Sequence, residues 1–167
     1  MKFNNLFQTD RLELALLTVD EAPFLFELVN TPGWLRYIGD RKVSTLEEAI
    51  VYTQKIMDNT NILYWVVRLR VSSAPIGIIS FIQRDYLEHP DIGFAFLPGY
   101  AKQGYAFEAV TVVLDHLRKD PDHPVILATT LKGNIPSIRL LEKLGLRLER
   151  EIEREKEVVL LYTTAAK

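Results

Sequence analysis

The stretch Leu97-Pro98-Gly99-Tyr100-Ala101-Lys102-Gln103-Gly104-Tyr105-Ala106-Phe107-Glu108-Ala109 joins a strand-like run to a helix-like one. Before it, Asp91 to Leu97 is apolar and rich in residues that suit a pleated, half-buried surface. Beyond it, Ala106, Ala109, Val110, Val113 and Leu117 recur at helical spacing. The start of a helix presents unpaired backbone N–H groups and the positive end of the helix dipole, so an anion is well placed there. Gly104 lets the backbone approach a ligand closely, Ala106 keeps the first turn slim, and Lys102 adds a positive charge. Read by itself, the stretch also fits an ordinary strand-to-helix connection with a solvent-facing lysine.

Working upstream, Asp91 to Leu97 is the third strand of an antiparallel meander. Its partners are Tyr64 to Leu69 and Ile76 to Ile82, separated by the Ser72-Ser73-Ala74-Pro75 turn. A first strand runs from about Arg11 to Leu17. The helix after it carries Ala22, Leu25, Phe26 and Val29 on one face, with Pro23 in its first turn, Asp20 as cap, and Thr31-Pro32-Gly33 as its end. Ser44-Thr45-Leu46-Glu47 reads as a capping box with Ser44 at the N-cap. Downstream, Val125 to Thr129 reads as a strand and Asn134 to Leu144 as a helix stopped by Gly145. Leu146 to Ile152 and Val158 to Tyr162 read as a final strand pair, with the charge run from Glu149 to Glu157 as its solvated tip. This alternation predicts an α/β (α+β) fold with residues 1–167 as a single domain.

Composition narrows the classes. Of 167 residues, 48% are hydrophobic and 25% charged, which suits a globular chain with a sizeable core. The net charge of −2 argues against electrostatic binding of nucleic acid. No signal peptide and no membrane-length apolar run is visible, so the expected compartment is cytoplasmic, with no membrane partner. With no cysteine, an enzyme built on this chain cannot carry an acyl group on a protein thiolate. Nothing calls for a metal. The C-terminal strands leave an edge on which a homodimer could pair.

Taken together, the motifs resemble those of the GNAT superfamily of N-acetyltransferases. Gly104 to Ala109 is similar to that family's pyrophosphate-binding motif. Asn134-Ile135-Pro136-Ser137, followed by Glu142-Lys143-Leu144-Gly145, is similar to its second signature, and Asp91 to Pro98 to its fourth strand. The segments 30–41 and 83–87 resemble a bacterial branch related to the Rim-type ribosomal-protein acetyltransferases. The resemblance covers nearly the whole chain in the family's order. It implies a mixed, strongly twisted central sheet with helices on both faces and splayed central strands, between which the pantetheine arm of acetyl-CoA lies. On it, the backbones of Phe96 and Leu97 bond that arm. Lys102, Gln103, Gly104, Tyr105, Ala106 and Phe107 cradle the pyrophosphate, and Asn134 and Ser137 line the opposite side.

Two departures matter. The motif's usual Arg or Gln falls at Ala101 and its next Gly at Lys102, and a lysine does not adopt positive φ cheaply. The tyrosine that reprotonates the thiolate in many members falls at Leu141; the resemblance to the Rim-type branch implies a serine in that role instead, here Ser137, with water as the fallback. Acetyl transfer to an amine also needs a base. Asp91, at the start of the donor strand, is the leading candidate, and it fits a strand-end cap equally well. Trp34, Tyr37, Arg41 and Arg84 are the expected acceptor-binding residues, although the two aromatics suit packing as well. The expected activity is direct transfer of an acetyl group from acetyl-CoA to a primary amine, on a small molecule or a protein N-terminus. The rival reading is a non-catalytic acyl-CoA-binding module on the same fold.

Overall fold

Two nearly continuous apolar runs, buried on both faces, form the middle of the sheet. In the computed structural model, which describes residues 6–166, they are β3 (Ile62–Leu69) and β4 (Pro75–Ile82). β2 (Leu12–Leu16) pairs antiparallel with β3, and β5 (Asp91–Phe96) pairs antiparallel with β4. A short β1 (Leu6–Gln8), not anticipated from the sequence, lies outside β2. On the other side of β5 come β6 (Leu127–Leu131), β8 (Glu157–Thr163) and β7 (Arg147–Arg154). The order is β1-β2-β3-β4-β5-β6-β8-β7, and β5 with β6 is the one parallel pair among the described strands.

Helices cover both faces. α4 (Tyr105–Arg118) and α5 (Ile135–Lys143) lie on one. There Ala109, Val110, Val113, Leu114 and Leu117 of α4 pack with Leu14, Trp65, Ile79 and Leu141 in the larger core. On the other face, α1 (Ala22–Val29), α2 (Pro32–Tyr37) and α3 (Leu46–Asp58) pack Leu25, Leu28, Trp34 and Ile56 against Val66 and Ile78. Burying the four larger α4 side chains alone favours the fold by roughly 6–10 kcal/mol in area terms.

Several local readings need correction. Thr31-Pro32-Gly33 does end α1, but it also starts α2: Pro32 occupies the first turn and Thr31 Oγ1 accepts the Trp34 N–H at 3.4 Å. The cap of α3 is Thr45, not Ser44. Its hydroxyl accepts the Glu48 N–H at 3.1 Å and donates to Glu48 Oε1 at 3.2 Å. The helix so capped turns Ala49, Thr53 and Ile56 inward. Asp20 caps nothing; Val19–Glu21 is a 3₁₀ turn that leads into α1 through backbone bonds. β6 begins two residues later than expected, because the Ile126 N–H donates to Thr164 Oγ1 rather than to a neighbouring strand. The charge run is more than a tip: most of it is β7, an exposed edge strand whose alternating charges discourage pairing with another chain.

Gly77 sits opposite Phe96, and a Cβ there would lie 2.4 Å from the Phe96 ring and 2.7 Å from the Ala95 carbonyl oxygen. Gly77→Ala should therefore lower stability by about 1–3 kcal/mol, as overpacking does. Urea unfolding measures it; unchanged stability would mean that Phe96 is not held against this glycine.

Candidate active site

β5 and β6 run parallel but pair at a single position, Asp91 opposite Leu127, where the Leu127 N–H donates to the Pro90 carbonyl at 2.9 Å. Beyond it the strands part. The Leu97 N–H donates to the Ile76 carbonyl at 2.8 Å, so Leu97, Ala95 and Gly93 direct their backbone groups at β4. Strand alternation then turns the N–H and C=O groups of Phe94 and Phe96 into the wedge between β5 and β6. Phe96 therefore stands as expected for an extended amide-bearing ligand. Leu97 does not: its N–H is engaged by Ile76, and its carbonyl accepts the Tyr100 N–H at 3.1 Å.

Parallel strands put their C-terminal ends on the same side, and each here leads to a helix start, the situation in which α/β sheets bind ligands. At the end of β5, Gly104 adopts φ 80° and opens α4 with no side-chain cap. The first N–H there to find an intrahelical partner is that of Glu108, donating to the Gly104 carbonyl at 3.0 Å. The N–H groups of Tyr105, Ala106 and Phe107 have no such partner and suit an anion. Lys102 does adopt positive φ, 62°, contrary to the expectation from its type. It thus keeps the backbone course a glycine would take, at a cost of about 1–2 kcal/mol, and stays exposed.

A brace that the sequence reading missed holds this turn. Arg11, just before β2, donates from Nε to Glu108 Oε1 at 2.8 Å and from Nη1 to the Gln103 carbonyl at 2.9 Å. Its guanidinium carbon lies 4.3 Å from the Tyr105 ring centroid. The Arg11 N–H and the Thr9 hydroxyl both donate to Glu108 Oε2. Partial burial alone would raise the Glu108 pKa; these bonds outweigh it and hold it below the ordinary carboxylate range. The brace borders a groove of about 550 Å³ beside the turn.

At the end of β6, Asn134 caps α5 by accepting the Ser137 N–H at 3.4 Å. Ser137 is half-buried, in the first turn of α5. Leu141 is 1% exposed and belongs to the core.

The opposite face of β5 carries the residues expected to meet an acceptor. Asp91 is 3% exposed. Its Oδ2 accepts from Arg84 Nε at 2.9 Å and from the Thr129 hydroxyl at 3.3 Å, while Oδ1 is buried without a partner among the described residues. Burial pushes its pKa up, and Arg84 and Thr129 pull it back part of the way. Tyr64, Ser80 and Gly93 lie side by side across β3, β4 and β5. A Cβ on Gly93 would come within 2.6 Å of Ser80 Oγ, so only glycine leaves room there for the Ser80 side chain. The Tyr64 phenol is raised by burial and by Tyr52, its hydrogen-bond partner, with Arg41 and Arg84 near enough to act in the opposite sense. The structure thus gathers Arg84, Asp91, Tyr64 and Arg41. Trp34, by contrast, is 4% exposed and is a core residue lying under Arg41 at 5.9 Å. Tyr37 stands apart on α2 beside Arg36.

The comparisons with known proteins agree with this architecture. The chain is 32% identical over 142 residues to the "Uncharacterized N-acetyltransferase YnaD" of Bacillus subtilis, covering 84% of this chain and 82% of that one. It superposes on a GNAT-family acetyltransferase from Bacillus anthracis with a TM-score of 0.79 and 26% identity, over 95% of this chain and 96% of that one. The CoA complex of RimL, a ribosomal L7/L12 alpha-N-protein acetyltransferase, shares the fold with a TM-score of 0.82 at 16% identity, over 95% and 96% of the two chains. Residues 11–147 match the family described as "Acetyltransferase (GNAT) domain", and the chain belongs to that family of acetyltransferases.

Proposed function

We propose that this protein moves an acetyl group from acetyl-CoA directly to a primary amine while both are bound. The observation that carries the reading is the β5–β6 wedge, with the free backbone groups of Phe94 and Phe96 inside it and the uncapped start of α4 at its mouth. These groups fit acetyl-CoA: amide partners for the pantetheine arm, and N–H groups of residues 105–107 for the pyrophosphate. The turn from Lys102 to Phe107 holds the phosphates, Phe96 bonds the arm, and Asn134 and Ser137 face them from the β6 side. The Phe94 N–H, two residues deeper than Phe96, is positioned to hold the thioester oxygen as negative charge develops on it.

Asp91 is the base. It lies three residues from Phe94, about 10 Å along the strand, so it acts through water. Its unpartnered Oδ1 accepts the ammonium proton through that water. The neutral amine attacks the carbonyl carbon, the C–S bond breaks, and the thiolate takes a proton from Ser137 or from water, which the second proton, released by the nitrogen as the amide forms, restores. The fold likeness to RimL supports a protein N-terminus as one acceptor type, beside small amines.

Three outcomes test this reading. Acetyl-CoA at 100 times its Kd should add about 2.7 kcal/mol to stability, and an amine panel should release free thiol. A rise in melting temperature without thiol release would identify a binder; neither would overturn the cofactor assignment. Within the turn, Gly104→Val should weaken CoA binding far more than Lys102→Gly, which removes the charge but relaxes the backbone; Arg11→Ala should fall between them. Calorimetric titration gives the ranking, and the reverse order would mean that charge rather than geometry holds the phosphates. Asp91→Asn should lower kcat by roughly 10²–10⁴ with little change in acetyl-CoA affinity. A base must be unprotonated, so activity falls as pH drops through its pKa. Burial displaces that acidic limb upward, and the variant should lose it. Near-normal turnover with the limb intact would make Asp91 only the anchor of Arg84.

A further inference from the structure

Arg84 is held unusually well for a residue in a connecting loop. Its Nε is committed to Asp91, itself almost fully buried, which fixes the plane of the guanidinium. Its side chain is still 36% exposed, and its two terminal nitrogens have no hydrogen-bond partner among the described residues. An arginine tethered this way presents a preorganised fork whose free edge matches a carboxylate in two parallel bonds. Arg41 lies on the same face, close enough to Tyr64 to share its electrostatic environment with Arg84, and no carboxylate pairs with it among the described residues. Tyr64 thus lies between Arg84, which Asp91 anchors, and Arg41, which shares a groove with Glu47 and Glu48.

That arrangement bears on the acceptor. A simple amine arrives as a cation and leaves the free edge of Arg84 without an anion. An amine that also carries a carboxylate arrives neutral overall and supplies the missing anion. Burial keeps the Tyr64 hydroxyl neutral beside it.

We propose that the acceptor is a small amine bearing a carboxylate, such as an α-amino acid, with the carboxylate on the free edge of Arg84 and the amine turned toward Asp91 and the wedge. This rests on the acetyl-transfer reading above and adds the substrate class.

The test compares L-α-amino acids with their α-carboxamides and decarboxylated amines, following thiol release from acetyl-CoA by the wild-type protein. Amino acids should be preferred in kcat/KM by roughly 10²-fold. Arg84→Met should remove that preference: both acceptor classes slow because Asp91 loses its partner, but amino acids should lose roughly 10²-fold more than carboxamides, and Arg84→Lys, which keeps the charge beside Asp91 but loses the fork, should retain part of the preference. The wild-type comparison decides the matter even if Arg84→Met does not fold. Equal or better rates with carboxamides or plain amines, or no release with any amino acid while acetyl-CoA still raises the melting temperature, would overturn this proposal and leave the cofactor reading standing. Equal losses for both acceptor classes in Arg84→Met would reduce Arg84 to a structural partner of Asp91 and also overturn it. Absence of any acetyl-CoA effect would instead strike at the acetyl-transfer reading.

Discussion

Everything distinctive in this molecule follows from two parallel strands that meet at one point and then separate. A backbone group left without a partner away from water costs about 1–3 kcal/mol, so a sheet does not open at its centre without something to fill the gap. Here the opening lies beyond Asp91 and Leu127. It exposes the one set of β5 amides that β4 cannot reach, and it directs both strand ends at helix starts. An extended, amide-bearing ligand with an anionic tail is the complement of such an opening.

The same strand divides the labour between two faces. Phe94 and Phe96 send their side chains into the core under α4, whereas Asp91, Gly93 and Ala95 face the side covered by α1 to α3. Backbone chemistry thus points along the sheet plane and side-chain chemistry out of it. Tyr64 and Ser80 extend the out-of-plane surface across β3 and β4, and the pairing register keeps them beside Gly93. The wedge and the out-of-plane surface are joined through a single strand, so the proposed donor and acceptor sites meet across one layer of residues.

Much of this was legible in the chain, for identifiable reasons. The meander, the Gly104 turn, α4 and α5 announce themselves through local periodicity and caps, which sequence spacing encodes directly. The turn was placed correctly, although Lys102 accepts a backbone angle that its type disfavours. Other features depend on information that spacing does not hold. Whether Phe96 or Leu97 faces the wedge is a question of parity, settled by the Leu97–Ile76 bond. Trp34 could equally have lined a pocket until packing placed it in the core. Thr45 rather than Ser44 caps α3 because its hydroxyl is the one that meets the Glu48 N–H, a choice between adjacent hydroxyls that spacing does not make. The bonds from Thr9 and Arg11 to Glu108 join residues 99 and 97 positions apart, and no local pattern reports such a pair.

That last connection has a consequence for how the molecule assembles. The turn after β5 comes from the second half of the chain, yet its shape is held by the residues that lead into β2. A contact of such sequence separation forms only after the entropy of closing a long loop has been overcome. The α4 helix can be present before it, since its own periodicity supports it. The brace cannot, and the loop it tethers stays unfastened until the first strands have docked beside β3. Ligand affinity therefore matures at the end of folding, and local opening of the amino-terminal segment in the native protein loosens the distant turn with it.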